Sequence, residues 1–180
     1  IPVSFARPVF VFELNAMAAL KVINAAQEAG AEGILQVSSA EIYGGATASG
    51  EFDLKERKIT EDAPVIPHSS YGAAKAAIDA MVQVRWREAK TPCIALRQFN
   101  CLGERETHPY IVPEIISQLS KWQRDVEDHK RKHSKAYHED CIPFSDEATV
   151  RLGNNSFRDF QYAGDAVRIA VELLERGQFG

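Results

Sequence analysis

The order of apolar segments constrains this chain more than any other feature. Residues 33–37 (Gly33-Ile34-Leu35-Gln36-Val37) and 93–99 (Cys93-Ile94-Ala95-Leu96-Arg97-Gln98-Phe99) read as short buried strands. Between and around them lie stretches with apolar residues at helical spacing. The first begins at Pro8, which suits a first helical turn, and covers residues 9–29 up to a closing Gly30. Val9, Phe12, Ala16, Ala19, Leu20, Ile23 and Ala26 form its apolar stripe, with Asn15 inside it. A second helix is expected over 71–88, and a third after Pro113, with Ile115, Ile116, Leu119, Trp122 and Val126 at helical spacing. A fourth spans 165–176. Residues 150–153 read as a further strand and 158–160 as a turn. Strands alternating with helices imply an α/β fold, a parallel sheet covered by helices.

Bulk properties narrow the function. With 180 residues and 45% hydrophobic content, the chain can build one sizeable core, or one domain with an appendage. A net charge of −4 argues against binding nucleic acid or a membrane surface through overall electrostatics. Cys93, Cys101 and Cys141 are few, odd in number and far apart, which suggests a reducing, cytoplasmic setting without a disulfide framework. No apolar run is expected to reach the roughly 20 residues that span a bilayer, and no signal peptide is visible. The first residue is Ile1, so the chain is expected to be a piece of something longer.

The chemistry centres on Ser69-Ser70-Tyr71-Gly72-Ala73-Ala74-Lys75. Four residues apart on a helix, Tyr71 and Lys75 share a face. Ionising a free tyrosine at pH 7 costs roughly 4 kcal/mol. An ammonium about 4 Å away, at an effective dielectric near 20, returns about that much. Such a pair can act as a base near neutrality. Upstream, Ser38-Ser39-Ala40-Glu41-Ile42-Tyr43-Gly44 follows a buried strand directly, which puts polar groups at the carboxyl edge of a sheet, where open α/β folds bind ligands. Gly44, Gly45 and Gly50 do not form a G-x-G-x-x-G phosphate loop, and no strand-to-helix turn carries one.

Several motifs occur together in order: Asn15 in a helix, the 38–44 segment, Ile59-Thr60-Glu61-Asp62, Tyr71-x-x-x-Lys75, Arg97-x-x-Asn100, Pro113-Glu114-Ile115-Ile116, and Arg158-Asp159-Phe160 before Asp165-Ala166-Val167. With these the chain resembles the extended short-chain dehydrogenase/reductase superfamily, specifically its nucleotide-sugar epimerases and dehydratases. The resemblance implies a Rossmann-like domain binding NAD(P) and a smaller region binding a nucleotide-diphosphate sugar. Residues 1–112 would supply the later part of the first, and residues 113–180 part of the second, with a charged insert at 121–148. Tyr71 resembles the catalytic base, and Lys75 the residue that lowers its pKa and holds the nicotinamide ribose. Ser39 resembles the hydroxyl on the sugar oxygen being oxidised. Asn15 and Ser38 resemble residues supporting the cofactor side of the site, and Asn100 and Arg158 contacts to the substrate diphosphate. The helices matching 9–29 and 71–88 would pair across a homodimer. The family's first βαβ units, with their glycine-rich loop, have no counterpart in the 38 residues before Ser39. The 180 residues alone are therefore expected to bind NAD weakly and to leave one edge of the 34–37 strand without its neighbour.

Glu41 matches the position where dehydratases of this group carry a carboxylate that removes the C5 proton once C4 is a ketone. Ala40 departs from the acid or hydroxyl often found beside it. The expected activity is transient C4 oxidation of a nucleotide-sugar, leaning to a 4,6-dehydratase or an epimerase acting at C5. A 4-keto reductase, a decarboxylase, or a non-catalytic scaffold are the alternatives. In the insert, His129, His133, His138 and Cys141 are zinc-binding residue types, but their spacing matches no closed zinc pattern. A solvated excursion without metal is expected there.

Overall fold

The computed structural model describes residues 2–44, 59–107, 110–133, 160–177 and 179. After a short helix α1 (Pro2–Ala6), the helix expected over 9–29 forms as α2, Pro8–Glu28. A Schellman closure ends it. Gly30 takes φ +76°, its N–H donates to the Gln27 carbonyl at 3.0 Å, and Ala31 N–H donates to the Ala26 carbonyl at 3.0 Å. The predicted apolar stripe is only partly right. Ala16 and Ile23 are buried, but Val9 is 69% exposed and Phe12 also faces out, while Val11 is buried. Residues Glu13–Met17 form a π-turn, which takes in one extra residue. Val11 therefore lies a π-turn, five residues, before Ala16, and the face that precedes the turn is rotated relative to the one that follows it.

This helix corrects a second expectation. At 21 residues and mean hydropathy 1.5, α2 is long and apolar enough, by length and composition alone, to cross a membrane. The reason is that it is apolar on two sides. One side buries Val11, Ala16 and Ile23, and the other exposes Leu14, Met17 and Val22.

Strand β1 (Ile34–Val37) leads into a 3₁₀ turn, Ala40–Tyr43, and later into α3 (Ser70–Ala89) and β2 (Cys93–Leu96). Strands β1 and β2 pair in parallel, with Ile34 opposite Cys93 and Val37 opposite Leu96. Pairing continues past the strands, as Ser38 N–H donates to the Leu96 carbonyl at 2.8 Å and Ala40 N–H to the Gln98 carbonyl at 2.9 Å. Among the described residues β1 has a strand partner on one side only. Ile23 from α2, Ile78 and Val82 from α3, and Cys93 from β2 form the main core, with Ile34, Met81 and Ala95 against it. Burying each large aliphatic contributes about 1.5–3 kcal/mol. The second strand is shorter than the expected 93–99. It stops at Leu96, and a separate strand β3 (Asn100–Leu102) pairs with β4 (Phe160–Tyr162).

By its packing the chain divides into two units, residues 1–101 with 157–180, and residues 102–156. The last helix, α5 (Ala163–Arg176), lies in the first unit, where Leu174 comes against Gly33, the residue before β1. The second unit holds α4 (Ile111–His133). Residues 121–133, expected to begin a solvated excursion, instead continue this helix. Its Glu114–Gln118 pair at 3.0 Å and its Asp128–Arg131 ion pair at 2.9 Å are spacings a helix brings together. The strand expected at 150–153, and the rest of the insert with His138 and Cys141, lie outside the described residues.

Candidate active site

The carboxyl end of β1 and the first turns of α3 meet. Ser39 has extended backbone and caps the 3₁₀ turn, its Oγ accepting from Glu41 N–H at 3.2 Å. Ser69 caps α3 in the same way, accepting from Gly72 N–H at 3.0 Å. Two contacts hold the first turns of α3 at this edge. A Cβ on Gly72 would stand 2.8 Å from the Glu41 carbonyl oxygen, so only glycine lets the helix come this close. Almost one turn further along, Lys75 Nζ donates to the Val37 carbonyl at 2.7 Å. The Lys75 ammonium lies 5.7 Å from the centre of the Tyr71 ring. Burial lowers the Lys75 pKa from the ordinary lysine value.

The structure thus brings Ser38, Ser39, Glu41, Tyr71 and Lys75 to one sheet edge. Ser38 is 2% exposed and its Oγ has no hydrogen-bond partner. This unpaired hydroxyl lies at the carboxyl edge of the sheet, on the residue after the one whose carbonyl takes one of the three Lys75 donors. Asn15 sits in the π-turn of α2, which packs on α3, and its Nδ2 donates to the Val11 carbonyl at 2.9 Å. Its side chain is engaged within its own helix. Asn100 stands exposed on β3. Arg158 lies outside the described residues. Among the described residues no three His, Cys, Asp or Glu side chains are grouped to hold a metal.

Sequence reasoning gave no role to a buried group behind this edge. Arg97 is paired with Asp79 through Nε to Oδ2 at 3.0 Å and Nη2 to Oδ1 at 2.9 Å. Its Nη1 donates to Tyr43 Oη at 2.6 Å and to the Glu61 carbonyl at 2.9 Å. Hydrogen bonding to Asp79 raises the Arg97 pKa above an already high value, and burial raises that of Tyr43. One signal was available: Tyr71, Lys75 and Asp79 are spaced by four, so Asp79 shares their helix face.

A tyrosine–lysine helix set against a serine-bearing strand end is the arrangement of a dehydrogenase-type α/β site. The chain belongs to the NAD dependent epimerase/dehydratase family, whose model matches residues 1–180. It is 30% identical over 180 residues to the dTDP-D-glucose 4,6-dehydratase of Mus musculus, covering 100% of this chain and 42% of that protein. The chain therefore spans less than half the length of this curated relative. Among solved structures, RMD of Pseudomonas aeruginosa complexed with NADPH superposes with TM-score 0.74 at 18% identity, over 99% of this chain and 53% of that one. The UDP-N-acetylglucosamine 4-epimerase of Methanobrevibacter ruminantium, in complex with UDP-N-acetylmuramic acid, gives TM-score 0.69 at 20% identity, over 97% and 48%. At these identities the two structures establish the fold.

Proposed function

We propose that the whole protein binds NAD(P) and a nucleotide-diphosphate sugar and transiently oxidises the sugar at C4, leading to 4,6-dehydration. The observation that supports this reading is the approach of Gly72 to the Glu41 carbonyl together with the Lys75–Val37 hydrogen bond, which joins the helix carrying Tyr71 to the strand end and turn carrying Ser39 and Glu41. Tyr71 takes the proton of the C4 hydroxyl, and Ser39 Oγ hydrogen-bonds the same oxygen. Lys75 stabilises the tyrosinate and, with Ser38, holds the nicotinamide ribose. Bound nicotinamide supplies the hydride acceptor at C4 and later the hydride donor. Once C4 is a ketone, Glu41 removes the acidified C5 proton. Arg158 and Asn100 would meet the diphosphate, arginine by its fit to phosphate oxygens. Similarity to a dTDP-D-glucose 4,6-dehydratase along the entire chain supports dehydration.

A specific observation favours a second reading. Ala40, the first residue of the 3₁₀ turn, offers no acid to the departing C6 hydroxyl, which suits an epimerase acting at C5. Turnover of dTDP-glucose in D₂O separates the two. A dehydratase yields a 4-keto-6-deoxy sugar with deuterium at C5; an epimerase leaves deuterium at C5 without losing water. Glu41→Gln should abolish C5 exchange in either case while the cofactor is still reduced. Absence of C5 exchange in the unmutated protein would contradict both and leave a C4 epimerase or a reductase.

The partner surface belongs to the same proposal. Leu14, Met17 and Val22 are exposed at 57%, 49% and 66% on α2, and a second copy of the chain docking through α2 and α3 would cover them. The free thiols of Cys93 and Cys101 support a cytoplasmic setting.

A further inference from the structure

We propose that Arg97 is a positioning residue, a partly buried clasp that holds the turn carrying Ser39 and Glu41 against the helix carrying Tyr71 and Lys75. This deepens the reading above and rests on it for its catalytic consequence. The guanidinium leaves the chain just past β2 and commits four of its five N–H groups to protein acceptors: two to Asp79, one to Tyr43 Oη and one to the Glu61 carbonyl. Asp79, 3% exposed, lies on α3 one turn after Lys75 and two turns after Tyr71. Tyr43, 2% exposed, closes the 3₁₀ turn whose capping residue is Ser39. The far end of that turn and the body of the catalytic helix are thus tied to one rigid planar group. The Arg97 guanidinium carbon also sits 5.5 Å from the centre of the Tyr43 ring. Glu61 brings the 59–62 segment to the same point.

Two features indicate geometry over bulk stability. A buried ion pair seldom stabilises a fold more than apolar residues of the same volume would. The fork of arginine, unlike the point charge of lysine, fixes the relative orientation of its acceptors. With four of its five donors committed to the protein, Arg97 acts on the reaction through the turn carrying Ser39 and Glu41 and the helix carrying Tyr71 and Lys75.

The test is Arg97→Lys in the whole protein, which keeps the charge beside Asp79 and loses the fork. Amide exchange at Glu41 and Ile42 should rise about tenfold or more, while amides of Ala74 and Val82 on α3 keep their protection. Cofactor reduction by the nucleotide-sugar should slow by about 100-fold, the scale of an ångström-sized misplacement, with KM nearly unchanged. Tyr43→Phe, which removes only Oη, should move both readouts in the same direction and by less, and added to Arg97→Lys it should cost little more. If Arg97→Lys does not fold, Tyr43→Phe carries both measurements. Unchanged exchange at Glu41 and Ile42 overturns the clasp, and so does raised exchange with cofactor reduction at the unmutated rate. If the unmutated protein reduces no cofactor with any nucleotide-sugar, the reaction assigned above fails, and amide exchange alone then decides whether Arg97 holds the turn.

Discussion

Burial sorts the two described cysteines into different chemistry. Cys93 is fully buried among Ile23, Ile78 and Val82, and burial pushes its thiol up to about 11 from 9.0. Cys101 is exposed on β3. At pH 8 iodoacetamide should label Cys101 in the native protein and Cys93 only after unfolding. Labelling of Cys93 in native protein at the Cys101 rate would contradict the core assignment. Because the folded-state pKa of Cys93 is raised, its contribution to stability is fully present below pH 9.0 and lost as pH climbs through about 11. Both residues were legible as free thiols, but a four-residue strand does not say which of its faces meets the core. Asp79 was illegible for a related reason. A carboxylate on a helix is solvated unless a cation faces it, and here the cation comes from just past β2, 18 residues further on.

At the scale of elements, local signals served where local chemistry decides. The helix expected over 71–88 is Ser70–Ala89, because Ser69 caps it and apolar spacing sustains it. The strand expected over 93–99 is regular only to Leu96, and beyond it Ala40 N–H still donates to the Gln98 carbonyl while the Arg97 side chain pairs with Asp79. Low apolar content at 121–133 suggested irregular chain, yet charged residues at helical spacing sustain α4. The π-turn had no sequence signature, and it moved the buried face from Val9 to Val11. The approach of α3 to the 3₁₀ turn gives the element-scale prediction. Ala at Gly72 would gain up to about 1 kcal/mol of helix propensity. Its Cβ would meet the Glu41 carbonyl, a backbone atom that accepts from the Gly44 N–H, and overpacking of that kind costs about 1–3 kcal/mol. We expect Gly72→Ala to lower stability by about 1 kcal/mol net in urea unfolding. An increase in stability would mean that the turn yields freely.

For the whole molecule, the α/β class and the site edge follow from strand–helix order, and family membership spans the entire chain. The exposed apolar side of α2 belongs to this scale, since no helix of the described chain covers it. If the proposed dimer forms through α2, Leu14→Asp with Met17→Lys should shift the whole protein to monomer in sedimentation, with cofactor still bound. An unchanged dimer would place the interface elsewhere. In the proposed reaction Tyr71, supported by Lys75 and aided by Ser39, opens the sequence by C4 oxidation. The direct measurement is rapid-mixing absorbance at 340 nm after adding dTDP-glucose to the whole protein loaded with NAD. A burst of reduced cofactor is expected in the unmutated protein, and loss of that burst in Tyr71→Phe, with nucleotide-sugar binding nearly unchanged by calorimetry. A burst of normal rate in Tyr71→Phe would contradict this role of Tyr71.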